Sequence, residues 1–254
     1  MTQESTHLRE DRNAMENTTY IALSRQAALR TEMTVVSNNI ANMNTTGFKA
    51  SRMLFEEFVE GETQEDPVSM VSTRGTHVDW SPGAMVQTGG TFDMAIKGNA
   101  FFAVETAQGT QYTRNGAFQL SDGGELVDGN GNMVMDTGNQ SITIPAGVTD
   151  MQVTRAGQVM VGGQPVGQLK LVSFDPTAEV KPIGGGMYST DAAELEAPEG
   201  TVVAQGMLEQ SNVNGIVEMT RMIELHRAYD RARNLINKED ERQKSAIGTL
   251  GKLA

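Results

Sequence analysis

The 254-residue chain contains no cysteine and only three histidines, His7, His77 and His226, which lie far apart. Disulfide frameworks, thiolate metal sites and cysteine nucleophiles are therefore excluded, and a histidine-rich zinc site is not expected. Apolar runs are short too. The longest obvious one, residues 100–104, has five residues, far below the ~20 of a membrane-spanning helix. The charged N-terminus lacks the apolar stretch of a cleaved Sec leader. We expect neither membrane insertion nor Sec-dependent export.

Basic residues are scarce where acidic residues concentrate. The net charge is −12, and residues 61–205 hold 6 basic and 17 acidic side chains, which gives −11 for this middle part. Acidity without a basic patch argues against binding to nucleic acid or to an anionic membrane surface. Glycine follows the same division, with 22 of the 27 glycines between residues 61 and 205. The middle of the chain is therefore a separate region that interrupts its two ends.

Both ends of the chain show the heptad spacing of coiled-coil helices, in segments that run over residues 15–42 and from residues 212–214 onward. The positions spaced alternately by three and four residues form a seam: Ala22, Gln26, Leu29, Met33, Val36, Ile40 and Met43 in the first segment, and Met222, Leu225, Tyr229, Ala232 and Ile236 in the second. The spacing fits an antiparallel pair within one chain and a layer of several chains equally well, because heptads specify pairing and not the number of chains.

The sequence pattern in the middle of the chain predicts β structure. Short alternating segments are separated by glycine-rich turns, and Asn115-Gly116 between residues 111–114 and 117–120 predicts a hairpin. The expected fold is mixed, with coiled-coil-type terminal α-helices paired as one layer and a central all-β domain of short hairpin strands. The predicted divisions are an N-terminal tail (1–14), a discontinuous helical domain (15–48 with 206–254), an extended connector (49–80 with 197–205) and the β domain (81–196).

Sequence motifs for a metal or cofactor are incomplete. Residues 128–132 begin like a calcium loop, but Met133 and Asn139 stand where that loop has glycine and glutamate. Residues 184–186 are three glycines without the Lys-Ser/Thr of a phosphate loop. Both segments are therefore interpreted as turns, and no metal, cofactor or catalytic site is expected.

A hydrolase remains an alternative of a different class. Glycoside hydrolysis uses two carboxylates, and an acidic chain offers such pairs, for instance Glu105 with Asp122 or Asp128. The corresponding hypothesis is a peptidoglycan-remodelling enzyme.

Five stretches resemble the bacterial flagellar rod and hook proteins, in the same order along the chain. They are Asn38-Asn39-Ile40-Ala41-Asn42-Met43-Asn44-Thr45-Thr46-Gly47-Phe48-Lys49, Thr91-Phe92-Asp93-Met94-Ala95-Ile96-Lys97-Gly98, Tyr112-Thr113-Arg114-Asn115-Gly116-Ala117-Phe118, Leu208-Glu209-Gln210-Ser211-Asn212-Val213-Asn214 and Arg227-Ala228-Tyr229. The resemblance covers residues 20–237, and the length is typical of a rod protein rather than a hook protein.

The resemblance implies a structural protein, not an enzyme. Rod proteins leave the cell through the flagellar type III export apparatus without a cleaved leader. They assemble with their own copies and with other rod proteins into the periplasmic drive shaft of the basal body, which transmits torque. Within the family the proximal rod is expected, and the distal rod is the alternative.

The resemblance also implies that the terminal helices line the axial structure, which favours the layer of several chains over the pair within one chain. Unassembled ends are then expected to stay largely disordered, because a narrow seam alone does not offset the entropy of ordering. The expected assembly residues are Leu29, Met33, Val36, Ile40, Met43, Met222, Leu225, Tyr229 and Ile236.

Overall fold

The computed structural model describes residues 2–60, 68–145 and 150–250. In chain order within these ranges, one long helix precedes a series of short strands and a second long helix follows it. The helices are α1 (Thr2–Ala41) and α2 (Gly215–Leu250). The strands are β1 (Ser51–Glu60), β2 (Val68–Val78), β3 (Met85–Gln87), β4 (Met94–Lys97), β5 (Phe101–Thr106), β6 (Gly109–Thr113), β7 (Gln119–Leu120), β8 (Leu126–Val127), β9 (Met133–Val134), β10 (Met151–Val153), β11 (Gln158–Val161), β12 (Gln164–Gln168), β13 (Leu171–Ser173), β14 (Lys181–Gly184), β15 (Met187–Ser189), β16 (Leu195–Glu196), β17 (Val202–Gln205) and β18 (Met207–Glu209).

These elements form two compact units, each assembled from separate stretches of chain. The helical unit consists of Met1–Ala41, Ser51–His77 and Asn214–Ala254, and the β unit consists of Asn42–Ala50 and Val78–Val213. In the helical unit α1 and α2 pack against each other. Paired terminal helices and a central all-β region of short antiparallel strands confirm the expected fold class.

The start of α1 differs from the sequence-based prediction. The helix begins at Thr2 and not near residue 15, so residues 2–14 of the predicted tail belong to it. No proline or glycine occurs in this segment, and cap-type residues such as Asn17 cost only a fraction of a kcal/mol inside a helix. The start of α2 agrees with the prediction, because Asn214 Oδ1 accepts the N–H groups of Ile216 and Val217 as an N-cap does.

Part of the predicted connector forms strands. β1 and β2 pair as a two-stranded sheet in the helical unit, and residues 61–67 of the connector lie outside the described residues. The return segment at residues 202–205 is β17, which pairs antiparallel with β4.

The core of the β unit is organised around β5, which lies inside a nine-stranded sheet and is bonded to β6, β9 and β13. Phe102 and Val104 enter one hydrophobic cluster, whereas Phe101 and Ala103 enter a second cluster. Because side chains alternate along a strand, β5 is buried on both faces. This explains why residues 100–104 form a continuous apolar run instead of an alternating one.

The predicted hairpin at Asn115-Gly116 is wrong. The segment does turn, since Asn115 Oδ1 accepts the N–H of Ala117, but the strands on its two sides do not pair. β6 pairs with β5 and β15, whereas β7 pairs with β8. The carbonyl of Gly116 instead accepts the N–H of Met94. A Cβ at Gly116 would lie 1.7 Å from the Met94 oxygen, so a close tertiary contact requires this glycine.

Gly47 allows a second close approach, and we predict that Gly47→Ala strongly destabilises the β unit. Its φ is +70°, and an added Cβ would lie 2.4 Å from the carbonyl carbon of Arg114. Gly89→Ala is the matched control, because Gly89 has φ +72° and no atom within 4 Å of its added Cβ. The control should lose about 1 kcal/mol from the left-handed conformation alone, and Gly47→Ala at least about 2 kcal/mol more.

The free energy of unfolding can be followed by urea titration with the fluorescence of Trp80. This single tryptophan of the chain is partly buried and packs against the second hydrophobic cluster, with its ring centroid 5.1 Å from that of Phe101 and 5.0 Å from that of Tyr188. Equal losses for the two variants would contradict the close approach at Gly47.

Candidate assembly surface

The predicted seam lies in the packed side of the helix pair. Val36 and Leu225 are buried, with exposed fractions of 3% and 7%. Six further seam residues are half-buried: Leu29, Met33, Ile40, Met222, Tyr229 and Ile236. Met43 is half-buried as well, but it follows the end of α1 in a turn and belongs to the β unit. The described chain therefore uses the helical seam for pairing its own ends, and contact of these residues with another chain stays a prediction.

Polar side chains fix the register of the helix pair. The Arg221 guanidinium donates from Nε at 3.0 Å and from Nη2 at 2.5 Å to Oε1 of Glu32, across the two helices. Asn39, which is 1% exposed, donates from Nδ2 to the Ser51 carbonyl at 2.9 Å and to Glu218 Oε2 at 3.2 Å. Its Oδ1 accepts the Ser51 N–H at 2.9 Å. One asparagine thus joins α1, β1 and the first turn of α2.

A row of apolar side chains on α2 remains exposed, and the sequence analysis did not include it. Ile216, Met219 and Ile223 are 79%, 47% and 55% exposed, and we call them the outer row. Their spacings of three and then four residues place them on one face of the helix. Because contiguous apolar surface in water is typical of interaction sites, the outer row is a candidate for one. The outer row has the same spacing as the seam beside it, and the sequence-based prediction assigned the assembly contacts to the seam.

Two open grooves follow the helix pair, and one of them includes Ile216 of the outer row. One groove is lined by Glu32, Ile216, Val217, Thr220, Arg221, Glu224, Leu225, Ala228 and Arg231. The other is lined by Ile21, Ala22, Arg25, Ala228, Arg231, Ala232 and Leu235. Small alanines and apolar side chains with arginines among them suit the face of another amphipathic helix.

The C-terminal half of α2 is polar by comparison. Arg242 pairs with Glu239, and Lys244 pairs with Asp240 at 2.5 Å. The hydrogen bond from Lys244 to Asp240 raises the pKa of Lys244. Pairs of this kind, three or four residues apart, keep a helix surface solvated. Among the residues of α2 whose side chains the structure describes, the exposed large apolar ones are Ile216, Val217, Met219, Ile223 and Leu235, and all but Leu235 lie in the N-terminal half of the helix.

The Asp128 carboxylate stabilises a turn of the β unit. Asp128 Oδ1 accepts the N–H groups of Asn130 and Asn132, and Oδ2 accepts Asn132 Nδ2. This confirms the interpretation of residues 128–132 as a turn. Over the described residues no group of three or more His, Asp or Glu side chains could hold a metal ion. None of the helices in the described ranges combines the length and the apolar character needed to cross a membrane.

Comparison with known proteins places the architecture in one class. Three flagellar families match the chain in order: "Flagella basal body rod protein" over residues 20–49, "Flagellar hook protein FlgE/F/G D1 domain" over residues 95–161, and "Flagellar basal body rod FlgEFG protein C-terminal" over residues 204–249. The first and third matches fall on the terminal segments, and the second falls on the β unit. These matches define an axial component of the flagellum.

The chain belongs to the family of flagellar basal-body rod proteins. It is 36% identical over 244 residues to the rod protein FlgF of Caulobacter vibrioides, an alignment that covers 94% of this chain and 100% of the relative. FlgF of Mesorhizobium japonicum is 35% identical, with 93% and 99% covered. The rod protein FlgG of Bacillus subtilis is 32% identical, with 87% and 94% covered.

We predict that Asn39→Ala destabilises the helical unit by about 2 kcal/mol, because it leaves the part-buried Ser51 N–H and the buried Glu218 carboxylate without their partner. Asn237→Ala, which removes an exposed amide from α2, is the control and should change stability by no more than about 0.5 kcal/mol. Thermal unfolding followed by circular dichroism at 222 nm measures both. A similar melting temperature for the two variants would show that Asn39 does not hold the unit together.

Proposed function

We propose that this chain is a structural subunit of the flagellar rod at the proximal position of FlgF. The observation that carries the proposal is the 35–36% identity to three FlgF proteins over 93–94% of the chain. The distal rod position of FlgG is the second candidate, supported by relatives at 32–33% identity over 84–87% of the chain.

The proposed assembly uses two sides of the helix pair. The seam, with Val36 and Leu225 at its buried positions, holds the two ends of one chain together. The outer row then docks against helices of neighbouring rod subunits, which include further copies of this chain and the other rod proteins. Burial of the outer row contributes about 25 cal/mol for each Å² of apolar surface removed from water. Because many copies repeat this contact along an axial structure, a modest gain in each subunit is sufficient.

The β unit contributes shape and solubility in this proposal. The acidity of the β unit, with 6 basic and 15 acidic residues over 42–50 and 78–213 and hence a net charge of −9, favours a solvent-facing position, because like charges repel when copies crowd together. We propose that the unfolded chain reaches the periplasm through the flagellar type III export apparatus. The membership of the chain in the rod protein family supports this proposal.

Ile223→Asp tests the outer row. We predict that the purified variant keeps its helicity and its Trp80 fluorescence, because residue 223 is already exposed, but that it fails to enter rods, because a carboxylate cannot be buried unpaired. Asn237→Asp adds the same charge to an exposed polar position of α2 and should assemble normally. Each variant is expressed in a strain that lacks the wild-type gene. Swimming and the amount of the chain in purified basal bodies, measured by mass spectrometry, are the readouts.

Three outcomes would contradict parts of the proposal. Wild-type amounts of Ile223→Asp in basal bodies would remove the outer row from the assembly surface. Absence of the wild-type chain from basal bodies would remove the rod assignment and favour a scaffold that acts only during assembly. Incorporation of the distal rod protein into basal bodies of a strain without this chain would exclude the assignment of this chain to the proximal rod.

A further inference from the structure

Three charged residues from distant parts of the sequence meet inside the β unit. Lys49, Arg114 and Glu209 have side chains that are 0%, 3% and 0% exposed. Lys49 Nζ lies 2.5 Å from Glu209 Oε1, and Arg114 Nη1 lies 3.5 Å from Glu209 Oε2. Lys49 comes from the segment that enters the unit, Arg114 from the end of β6, and Glu209 from the end of β18, close to where the chain leaves the unit. We call these three residues the charge cluster.

Glu209 is shared among several donors. Its Oε1 also accepts the N–H of Gly83 at 2.9 Å, and its main-chain carbonyl accepts the N–H of Gly47 at 2.7 Å. Lys49 donates additionally to the Ser81 carbonyl at 2.8 Å. Arg114 is less well satisfied, since its Nε has no hydrogen-bond partner among the described residues. Loss of the Glu209 charge would therefore leave two buried cations without their shared anion.

The electrostatic balance of the charge cluster is unfavourable without Glu209. Burial lowers the pKa of both Lys49 and Arg114, because it penalises the charged form, and Glu209 offsets only part of that effect. Asp79 also raises the pKa of Lys49, but it is the smallest of the causes. A buried ion pair contributes little net stability when complete, whereas an unpaired buried charge is strongly destabilising. The charge cluster therefore penalises incomplete structures more than it stabilises the complete one.

Glu209 belongs to a segment that also completes the sheets of the β unit. β17 pairs with β4 through four residues, and β18 pairs with β3. Val203, which is 2% exposed, enters the larger hydrophobic cluster. The Asn212 side chain accepts the N–H of Ala50 and donates to the carbonyls of Asp79 and Ser81. We call residues 201–213 the closing segment.

We propose that the closing segment is a folding gate, in which Glu209 makes the fold of the whole β unit conditional on the arrival of the C-terminal part of the chain. Before Glu209 arrives, Lys49 and Arg114 cannot be buried together, and β3 and β4 lack their partners. A chain that emerges from its N-terminus therefore keeps its β unit open until almost all of its sequence is available. This gate does not depend on assembly into a rod, although it suits a chain that is exported before it folds.

Hydrogen exchange of the intact chain, read by mass spectrometry, tests the gate with Glu209→Gln. Glu199→Gln, at an exposed position, is the matched control. We predict that Glu209→Gln accelerates amide exchange by about 100-fold or more. This factor should be the same in β17 and β18 of the closing segment as in the core strands β5 and β8. Equal factors are expected because these elements open as one cooperative unit. The control should exchange like the wild type.

Faster exchange confined to residues 202–209, with β5 and β8 still protected, would overturn the proposal, because the core would then stand without the closing segment. Unchanged exchange in Glu209→Gln would overturn it as well. A triple variant, with Lys49→Met and Arg114→Met added to Glu209→Gln, covers the case in which the single variant does not fold. Removal of both cations should reverse at least half of the acceleration of exchange, on a logarithmic scale, that Glu209→Gln causes. If the triple variant exchanges as fast as the single variant, unpaired charge is excluded as the cause.

Discussion

The structure depends on the return of the C-terminal part of the chain to the N-terminal part, which happens once in each unit. In the helical unit, Asn39 at the end of α1 binds Glu218 in the first turn of α2. In the β unit, Lys49 binds Glu209. Both contacts use a buried polar residue, and a buried polar group without its partner is costly. Neither unit can therefore be completed from one half of the sequence.

The sequence predicted those features that depend on local composition and spacing. The two helical ends, the start of α2 near residue 214, the turn at residues 128–132 and the central β region were all visible as periodicity or as turn residues. The resemblance to rod and hook proteins rested on short stretches that include Asn39, Lys49 and Glu209. The structure shows that these three residues carry the buried polar contacts between the two ends of the chain.

Features that depend on distant partners were not predictable in the same way. The Asn115-Gly116 dipeptide is a strong hairpin signal, but tertiary pairing assigns β6 and β7 to different neighbours. The heptads did not show which side of α2 would remain free, because a seam and a row beside it have the same spacing. Only the packing of α1 against α2 distinguishes the covered seam from the exposed outer row. The charge cluster could not be predicted from local sequence either, because its members lie up to 160 residues apart.

The central claim is that the seam pairs the ends of one chain while the outer row contacts neighbouring rod subunits. Because the chain has no cysteine, Ile223→Cys in the outer row or Met222→Cys at a half-buried seam position can each carry a thiol-linked photo-crosslinker without competing sites. Irradiation of purified basal bodies should give adducts between subunits from position 223, whereas the probe at position 222 should react within its own chain. The reverse pattern, with adducts between subunits from position 222 and none from position 223, would contradict the account.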